Sequence, residues 1–389
     1  MTTNISYSYY NPVETIFGVH AFKKILPTIQ KYVQNNHILI VSDENLLNIL
    51  GIHENLHTLL KANGYTADFF EKPGKYSSIS IIDRGAERVR KHQYGLIIGI
   101  GGGSAMDTAK CMAILGRNNG SINDYLKEGK SLEKTGVPLI LVPTTAGTGS
   151  EVTRWATVWD LGDFFKKFSL SDPKMFAKAS IIDPTLLLKL PPKMSAMTGL
   201  DALSQAIEAY WSKNHNPVSD EFALKSIEII LENITKMFHN PSDLSYRTQM
   251  ALGSMFSGLA FSNTKTTAVH SVSYPMTLHF NIPHGLACAL TLGEFIKFNA
   301  LETPNNTLEA PQRLQTIINL FKTKTAKEAA LKLTTMMKEM ALETKLSQFN
   351  IDENGIEKII AEGFTPDRVK HNPRLVTEEA LREILHNIK

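Results

Sequence analysis

From His270 to Gly285 the chain reads His-Ser-Val-Ser-Tyr-Pro-Met-Thr-Leu-His-Phe-Asn-Ile-Pro-His-Gly, and its outer histidines, His270 and His284, stand fourteen residues apart. Upstream, Thr198-Gly-Leu-Asp201-Ala-Leu-Ser-Gln205-Ala-Ile-Glu208 carries a helical pattern that puts Asp201 and Gln205 one turn apart on one face. One carboxylate and two imidazoles from separate elements make a ligand set for a catalytic divalent cation, with a coordination position left open for substrate. Spacing alone does not separate these two histidines from packed or surface ones among the twelve in the chain. Glu208, Tyr210, Trp211 and His279 read as packing or surface residues.

A second concentration of chemistry is Gly99-Ile-Gly-Gly-Gly-Ser104-Ala-Met-Asp107-Thr-Ala-Lys110, which follows an apolar run and opens a helical one. Glycines there let a pyrophosphate approach the backbone, and the free N–H groups of a helix start attract its charge. Ser104 stands where the dinucleotide fingerprint has its last glycine, and no Gly-Lys-Ser/Thr follows as in a P-loop. The competing reading is a tight turn with Ser104 as N-cap and Asp107 in an approximate capping box. Asp43 ends the first clear strand, where a carboxylate can bind the adenosine ribose of NAD and repel the 2′-phosphate of NADP, or merely cap the next helix. Pro143-Thr144-Thr145-Ala-Gly-Thr148-Gly-Ser150-Glu151 places hydroxyls and glycines after another strand, suited to sugars, phosphates or a carboxamide. Arg154, Lys166 and Lys167 are solvated charges taken singly, and together could line an anionic substrate or cofactor edge.

The elements that must position these residues alternate at first. Apolar runs at 37–41, 65–70, 96–100 and 137–142 predict strands, and helical periodicity covers 46–63, 78–91 and 104–115. That alternation predicts a parallel sheet covered on both faces. Strand-like pieces at 157–160, 168–171 and 180–183 suggest hairpin structure added to it. Beyond the breaker cluster Leu190-Pro-Pro192 almost every segment is helical, from 194–211 through 219–238, 242–262, 266–277 and 285–298 to 377–388. The expected domains are 1–187, α/β, and 188–389, all-helical.

A net charge of +3, with basic residues dispersed, argues against a nucleic-acid partner. Two cysteines, Cys111 and Cys288, in apolar contexts read as reduced core thiols, and a cytoplasmic location is expected. The polar N-terminus lacks the layout of a signal peptide, and no apolar run is long enough for a membrane helix.

In order and spacing, Gly101-Gly-Gly-Ser-Ala-Met-Asp-Thr-Ala-Lys110, Pro143-Thr-Thr-Ala-Gly-Thr-Gly-Ser-Glu151, Thr198-Gly-Leu-Asp-Ala-Leu203, Leu259-Ala-Phe-Ser-Asn263, His270, Pro283-His-Gly285 and Asn372-Pro-Arg374 resemble the iron-containing (group III) alcohol dehydrogenases. The resemblance spans essentially the whole chain. It implies a dinucleotide-binding parallel-sheet domain followed by a helical domain, the dehydroquinate synthase-like fold, with metal and nicotinamide in the cleft between them. It further implies NAD or NADP, NAD favoured by Asp43, on Asp43, Gly102, Gly103, Ser104, Thr144, Thr145 and Thr148, with Lys167 near the cofactor ribose. Asp201, His270 and His284 match three ligands of a divalent metal, iron or zinc, that polarises an aldehyde carbonyl. The family's usual fourth ligand, a histidine, is Gln205 here, a weaker amide donor, and another common histidine is Tyr274, which becomes a candidate proton relay. Metal-free relatives exist, so the metal is iron, zinc or absent. Ala156-Thr-Val-Trp-Asp160, Lys167-Phe-Ser-Leu170 and the glutamine-containing Asp201 motif look like the phosphonoacetaldehyde reductases, with Arg154 as a candidate for the substrate anion. The partner is then a small aldehyde or alcohol, and a homodimer is the family expectation. Sulfoacetaldehyde, an unsubstituted short aldehyde, a non-redox lyase on this fold, and a non-catalytic nucleotide-binding protein are the alternatives.

Overall fold

The computed structural model describes residues 6–162, 166–301 and 310–389. It divides into two compact units, Asn11–Leu190 and Pro191–Lys389, the break falling inside the Leu190-Pro-Pro192 cluster. Residues 6–10 belong with the second unit. There the Tyr9 hydroxyl donates to the Leu259 carbonyl at 3.1 Å, and its ring packs on Phe222.

The first unit is built on a six-stranded sheet in which every pairing is parallel. Its strands are β1 (Glu14–Phe17), β2 (His37–Asp43), β3 (Thr66–Lys72), β4 (Leu96–Gly101), β5 (Leu139–Pro143) and β8 (Ala179–Ile182), in the order β1-β8-β5-β4-β2-β3. Ile38–Val41 and Leu96–Ile98 are fully buried, as continuous apolar runs should be when helices cover both faces. The covering helices include α1 (Ile79–His92) and α2 (Gly103–Leu115). The chain runs from β2 outward to β3, then returns across β2 to β4 and continues the other way to β5. The sheet therefore reverses between β2 and β4, and in such sheets the crevice at the carboxyl ends of those two strands is where ligands bind.

Three details differ from the sequence expectation. The piece at 180–183 is no hairpin arm: Ala179–Ile182 is wholly buried and sits in the parallel sheet between β1 and β5. Only β6 (Trp155–Asp160) and β7 (Lys166–Ser171) form the hairpin, and they make a separate two-stranded sheet. The helix expected over 46–63 is two pieces, Leu46–Ile49 and His53–Ala62, broken at Gly51, which turns the chain with a φ of +68°.

The second unit is helical. Its first five long helices are α3 (Pro192–Trp211), α4 (Pro217–His239), α5 (Leu244–Thr264), α6 (Ala268–Phe280) and α7 (His284–Ala300). Ala326–Glu339, Glu353–Glu362 and Glu378–Asn387 are among the helices that follow. Asn216 caps α4 through Val218 and Ser219, with Pro217 in the first turn, where a missing N–H costs nothing. α3 packs on α4, α5 and α7, and α6 on α7. Every residue from Ala268 to Leu278 is buried, so α6 has no solvent face and its polar side chains must find partners inside. Gly285 sets the crossing of α7 over α3: a Cβ there would stand 2.0 Å from the Met197 carbonyl oxygen and 3.0 Å from the Asp201 Cβ. No helix among the described residues is long and apolar enough to cross a membrane.

Candidate active site

In the second unit, α3 carries Asp201, Gln205 and Glu208 at positions i, i+4 and i+7, a single stripe of the helix. All three are buried, and α6 brings His270 against them while the first residue of α7 brings His284. The Nδ1 of His270 pairs with Glu208 Oε2, and the other Glu208 oxygen accepts from the Thr267 backbone N–H at 2.9 Å and the Thr267 hydroxyl at 2.8 Å. A carboxylate only accepts, so Nδ1 carries the proton of this bond and Nε2 is the atom turned toward Asp201. That Nε2 is buried, makes no hydrogen bond, and lies 3.4 Å from Asp201 Oδ1. His284 Nε2 lies 3.8 Å from the same oxygen, and its Nδ1 is 3.4 Å from the Ser273 hydroxyl.

These residues fit a divalent cation. Two imidazole nitrogens converge on one carboxylate oxygen at separations close to the roughly 3.3–3.4 Å expected between tetrahedral ligands bonded at about 2.0–2.1 Å. Cys288, one turn along α7 from His284, adds a sulfur, and the four ligand atoms all lie within 4.8 Å of one another. The surroundings are negative: burial opposes a charge on His270, but Cys288, Glu208 and Asp201 prevail and hold its proton affinity well above the ordinary imidazole value. A cation meets the same field with a larger charge.

Gln205 directs its amide nitrogen to Asp201 Oδ2 at 3.0 Å, and its carbonyl oxygen accepts from the Ser257 hydroxyl at 3.3 Å. Standing where the family's usual fourth ligand would be, this weaker amide donor holds the Asp201 carboxylate by Oδ2, leaving Oδ1 toward the histidines. Tyr274 is buried with its ring stacked against that of His284, 6.0 Å between centres, and the Arg368 guanidinium lies 5.4 Å from the Tyr274 ring centre. Burial raises the Tyr274 phenol, with Arg368 and His270 opposing.

In the first unit, Asp43 at the end of β2 and Gly101 at the end of β4 flank the reversal of the sheet, and Asp43 Oδ2 would stand 3.0 Å from a Cβ on Gly101. Lys72, with a fully buried side chain, holds the other Asp43 oxygen at 3.2 Å. α2 begins at Gly103 with Gly102 as N-cap and no side-chain cap, so its first N–H groups have no partner in the helix. The Ser104 hydroxyl is buried and makes no hydrogen bond. These are open donors facing a bare glycine turn, and they fit the phosphates of a dinucleotide. The capping-box reading fails, because Ser104 lies inside the helix and Asp107 faces elsewhere: its carboxylate accepts from the Ser150 hydroxyl at 2.6 Å and the Thr157 N–H at 2.8 Å.

The threonine-rich loop lies on the glycine turn. The Thr144 N–H donates to the Gly101 carbonyl at 3.0 Å. A Cβ on Gly102 would touch the Thr145 methyl at 3.5 Å, and one on Gly103 would collide with Thr148 at 2.6 Å. Buried Lys110 ties the loop to the helix, donating to Ser150 at 2.8 Å, Thr153 at 3.2 Å and the Trp155 carbonyl at 2.7 Å. Lys167 stands on β7 with its ammonium 5.3 Å from the Trp159 ring centre. Arg154 lies 5.8 Å from the Trp155 ring centre, and its buried Nε makes no hydrogen bond.

Sequence reasoning passed over Cys288, one of the four residues that could hold a metal, and Glu208, which pairs with His270. Glu208 is legible as the i+7 position of the Asp201 stripe and Cys288 as the i+4 neighbour of His284, but neither spacing separates Glu208 from a packing or surface residue or Cys288 from a reduced core thiol.

Residues 12–184 match the family model for iron-containing alcohol dehydrogenase, and residues 195–389 match the C-terminal model of the Fe-containing alcohol dehydrogenase family. The chain is 36% identical over 277 residues to long-chain-alcohol dehydrogenase 1 of Geobacillus thermodenitrificans, covering 71% of this chain and 69% of that one. It is 29% identical over 381 residues to the NAD-dependent methanol dehydrogenase of Bacillus methanolicus, covering 98% and 99%. Among solved structures, the sulfoacetaldehyde reductase of Bifidobacterium kashiwanohense in complex with NAD+ superposes with a TM-score of 0.89 at 28% identity, covering 99% of each chain.

Proposed function

We propose that this chain, which belongs to the iron-containing alcohol dehydrogenase family, catalyses the reversible NAD(P)H-dependent reduction of a short anionic aldehyde to its primary alcohol, with phosphonoacetaldehyde and 2-hydroxyethylphosphonate as the pair. The observation that carries the reading is the convergence of Asp201, His270 and His284 with Glu208 fixing the His270 tautomer. When bound, a divalent cation on these residues supplies Lewis acidity toward a carbonyl oxygen, and the nicotinamide supplies the hydride.

The chain's own residues prepare both groups. Gln205 and Ser257 hold the Asp201 carboxylate, and Glu208 and Thr267 hold His270, so the ligand atoms stay in place without rearranging. Gly102, Gly103 and Ser104 offer N–H groups and a hydroxyl to the pyrophosphate, with Thr144, Thr145 and Thr148 packed around the same turn. Asp43, braced by Lys72, accepts from the adenosine ribose hydroxyls, and its charge favours NAD over NADP. The proton for the product oxygen comes from water or the cofactor ribose, and Tyr274, against His284, relays it and is reprotonated from the same source.

Support for an anionic substrate comes from Arg154, whose buried Nε has no protein partner, and from a relative that reduces sulfoacetaldehyde, also a two-carbon aldehyde with an anionic head. An unpaired guanidinium N–H is a donor in search of an acceptor. The test is NADH and NADPH oxidation by the purified protein with phosphonoacetaldehyde, sulfoacetaldehyde, lactaldehyde and unsubstituted short aldehydes. Highest kcat/KM on phosphonoacetaldehyde is expected, with Arg154→Ala raising KM for the anionic aldehydes alone. A preference for unsubstituted aldehydes, untouched by Arg154→Ala, refutes the anionic assignment.

A further inference from the structure

We propose that Cys288 is a ligand of the metal, so that Asp201, His270, His284 and Cys288 form a mixed oxygen, nitrogen and sulfur set that selects zinc over iron. The inference rests on the reading of this cluster as a metal site and adds the ligand and the metal to it.

Gln205, at the sequence position of the missing imidazole, is turned away, its nitrogen committed to Asp201 and its oxygen to Ser257. Cys288 is fully buried, and as the i+4 neighbour of His284 it points from the same face of α7. Its sulfur is within 4.8 Å of the other three ligand atoms. Bonds of about 2.0–2.1 Å to nitrogen and oxygen and about 2.3 Å to sulfur put tetrahedral ligand atoms roughly 3.3–3.8 Å apart, so closure onto zinc needs a movement of about 1 Å. The second pointer to a ligand is His270, whose buried Nε2 faces into the cluster without a hydrogen bond.

The chemistry follows from softness and charge. A thiol that coordinates a dication is deprotonated, so Cys288 binds as the thiolate, and any proton it carries leaves to solvent as the zinc–sulfur bond forms. Asp201 and the Cys288 thiolate together then cancel the charge of the dication, which offsets the cost of burying it. Thiolate sulfur favours zinc over ferrous iron, a preference that adds to the greater affinity of nitrogen and oxygen sites for zinc.

The experiment uses the full chain, stripped of metal, reloaded with zinc and studied by X-ray absorption. One sulfur at about 2.3 Å beside nitrogen and oxygen scatterers is expected in the wild-type protein. Cobalt loading should give a thiolate-to-cobalt absorption band in the near ultraviolet. Cys288→Ser, checked for cooperative unfolding, should lose both signals and bind zinc at least about tenfold more weakly. A zinc shell of nitrogen and oxygen alone in the wild-type protein overturns the role of Cys288 whatever the variant does. Failure to take up any metal overturns instead the reading of the cluster as a metal site.

Discussion

Glu208 receives the Nδ1 side of the His270 ring from two helical turns beyond Asp201 on the same helix, so one face of α3 supplies both the carboxylate assigned to the metal and the group that orients the opposing imidazole. Such outer partners fix the tautomer and raise ligand basicity. Glu208→Gln is expected to weaken zinc binding by about 10–100-fold, measured by chelator competition, with helical content unchanged. Undiminished affinity would show that the bond only packs the helices together.

Gln205→Ala separates a ligand from a group that holds a ligand. Removing the amide frees Asp201 Oδ2 but leaves Oδ1 and both histidines. One metal per chain should be retained at full loading, while Asp201→Ala abolishes stoichiometric binding. Equal loss in the two variants would make Gln205 a ligand after all.

Asp43 faces two demands. It braces fully buried Lys72, whose ammonium otherwise has the Gly74 carbonyl, and it is the group assigned to the cofactor ribose. A hydrogen bond to a charged group is worth about 1.5–3 kcal/mol, so Asp43→Ala should raise the NADH Kd by roughly 10–100-fold. The ratio of NADPH to NADH affinity should rise with it. A titration that leaves both constants unchanged places the ribose elsewhere.

Beneath the threonine loop, burial pushes Glu151 from 4.5 up to about 7 and Lys110 from 10.5 down to about 8, although Asp107 and Glu151 favour the charged lysine. Folded Glu151 holds its proton more tightly than unfolded, so its contribution to stability is complete below pH 4.5 and lost as pH rises through 7. Folded Lys110 gives its proton up more readily, so its cost is complete below pH 8 and relieved as pH rises toward 10.5. Glu151→Gln removes the first effect, and the attraction to Lys110 that goes with it is already contained in the net upward shift of Glu151. Its melting temperature relative to wild type should therefore be higher at pH 8 than at pH 5, and a difference equal at both would contradict the burial of an ionising Glu151.

The parallel sheet and the helical half were legible because both write their burial into periodicity: unbroken apolar runs at Ile38–Val41 and Leu96–Ile98, and helical stripes from Met194 onward. Asp43 and the glycine turn were legible as a strand end and a helix start, places where carboxylates and backbone donors become available. The rest depended on distances that no local pattern encodes. Ala179–Ile182 joins the main sheet because of where the chain returns, and its four residues carry no sign of parallel or antiparallel pairing. Glu208 and Cys288 share helix faces with Asp201 and His284, but only the close crossing at Gly285 shows that those faces meet. Gln205 was ambiguous because an amide can present either end, and its neighbours Asp201 and Ser257 decide which.

The most direct measurement is NADH-dependent aldehyde reduction by the protein before chelation, after chelation, and after return of zinc or ferrous iron. Activity should fall to background on stripping, return with metal in the wild-type protein, and fail to return in Asp201→Ala. Full turnover by the metal-free protein would contradict the account.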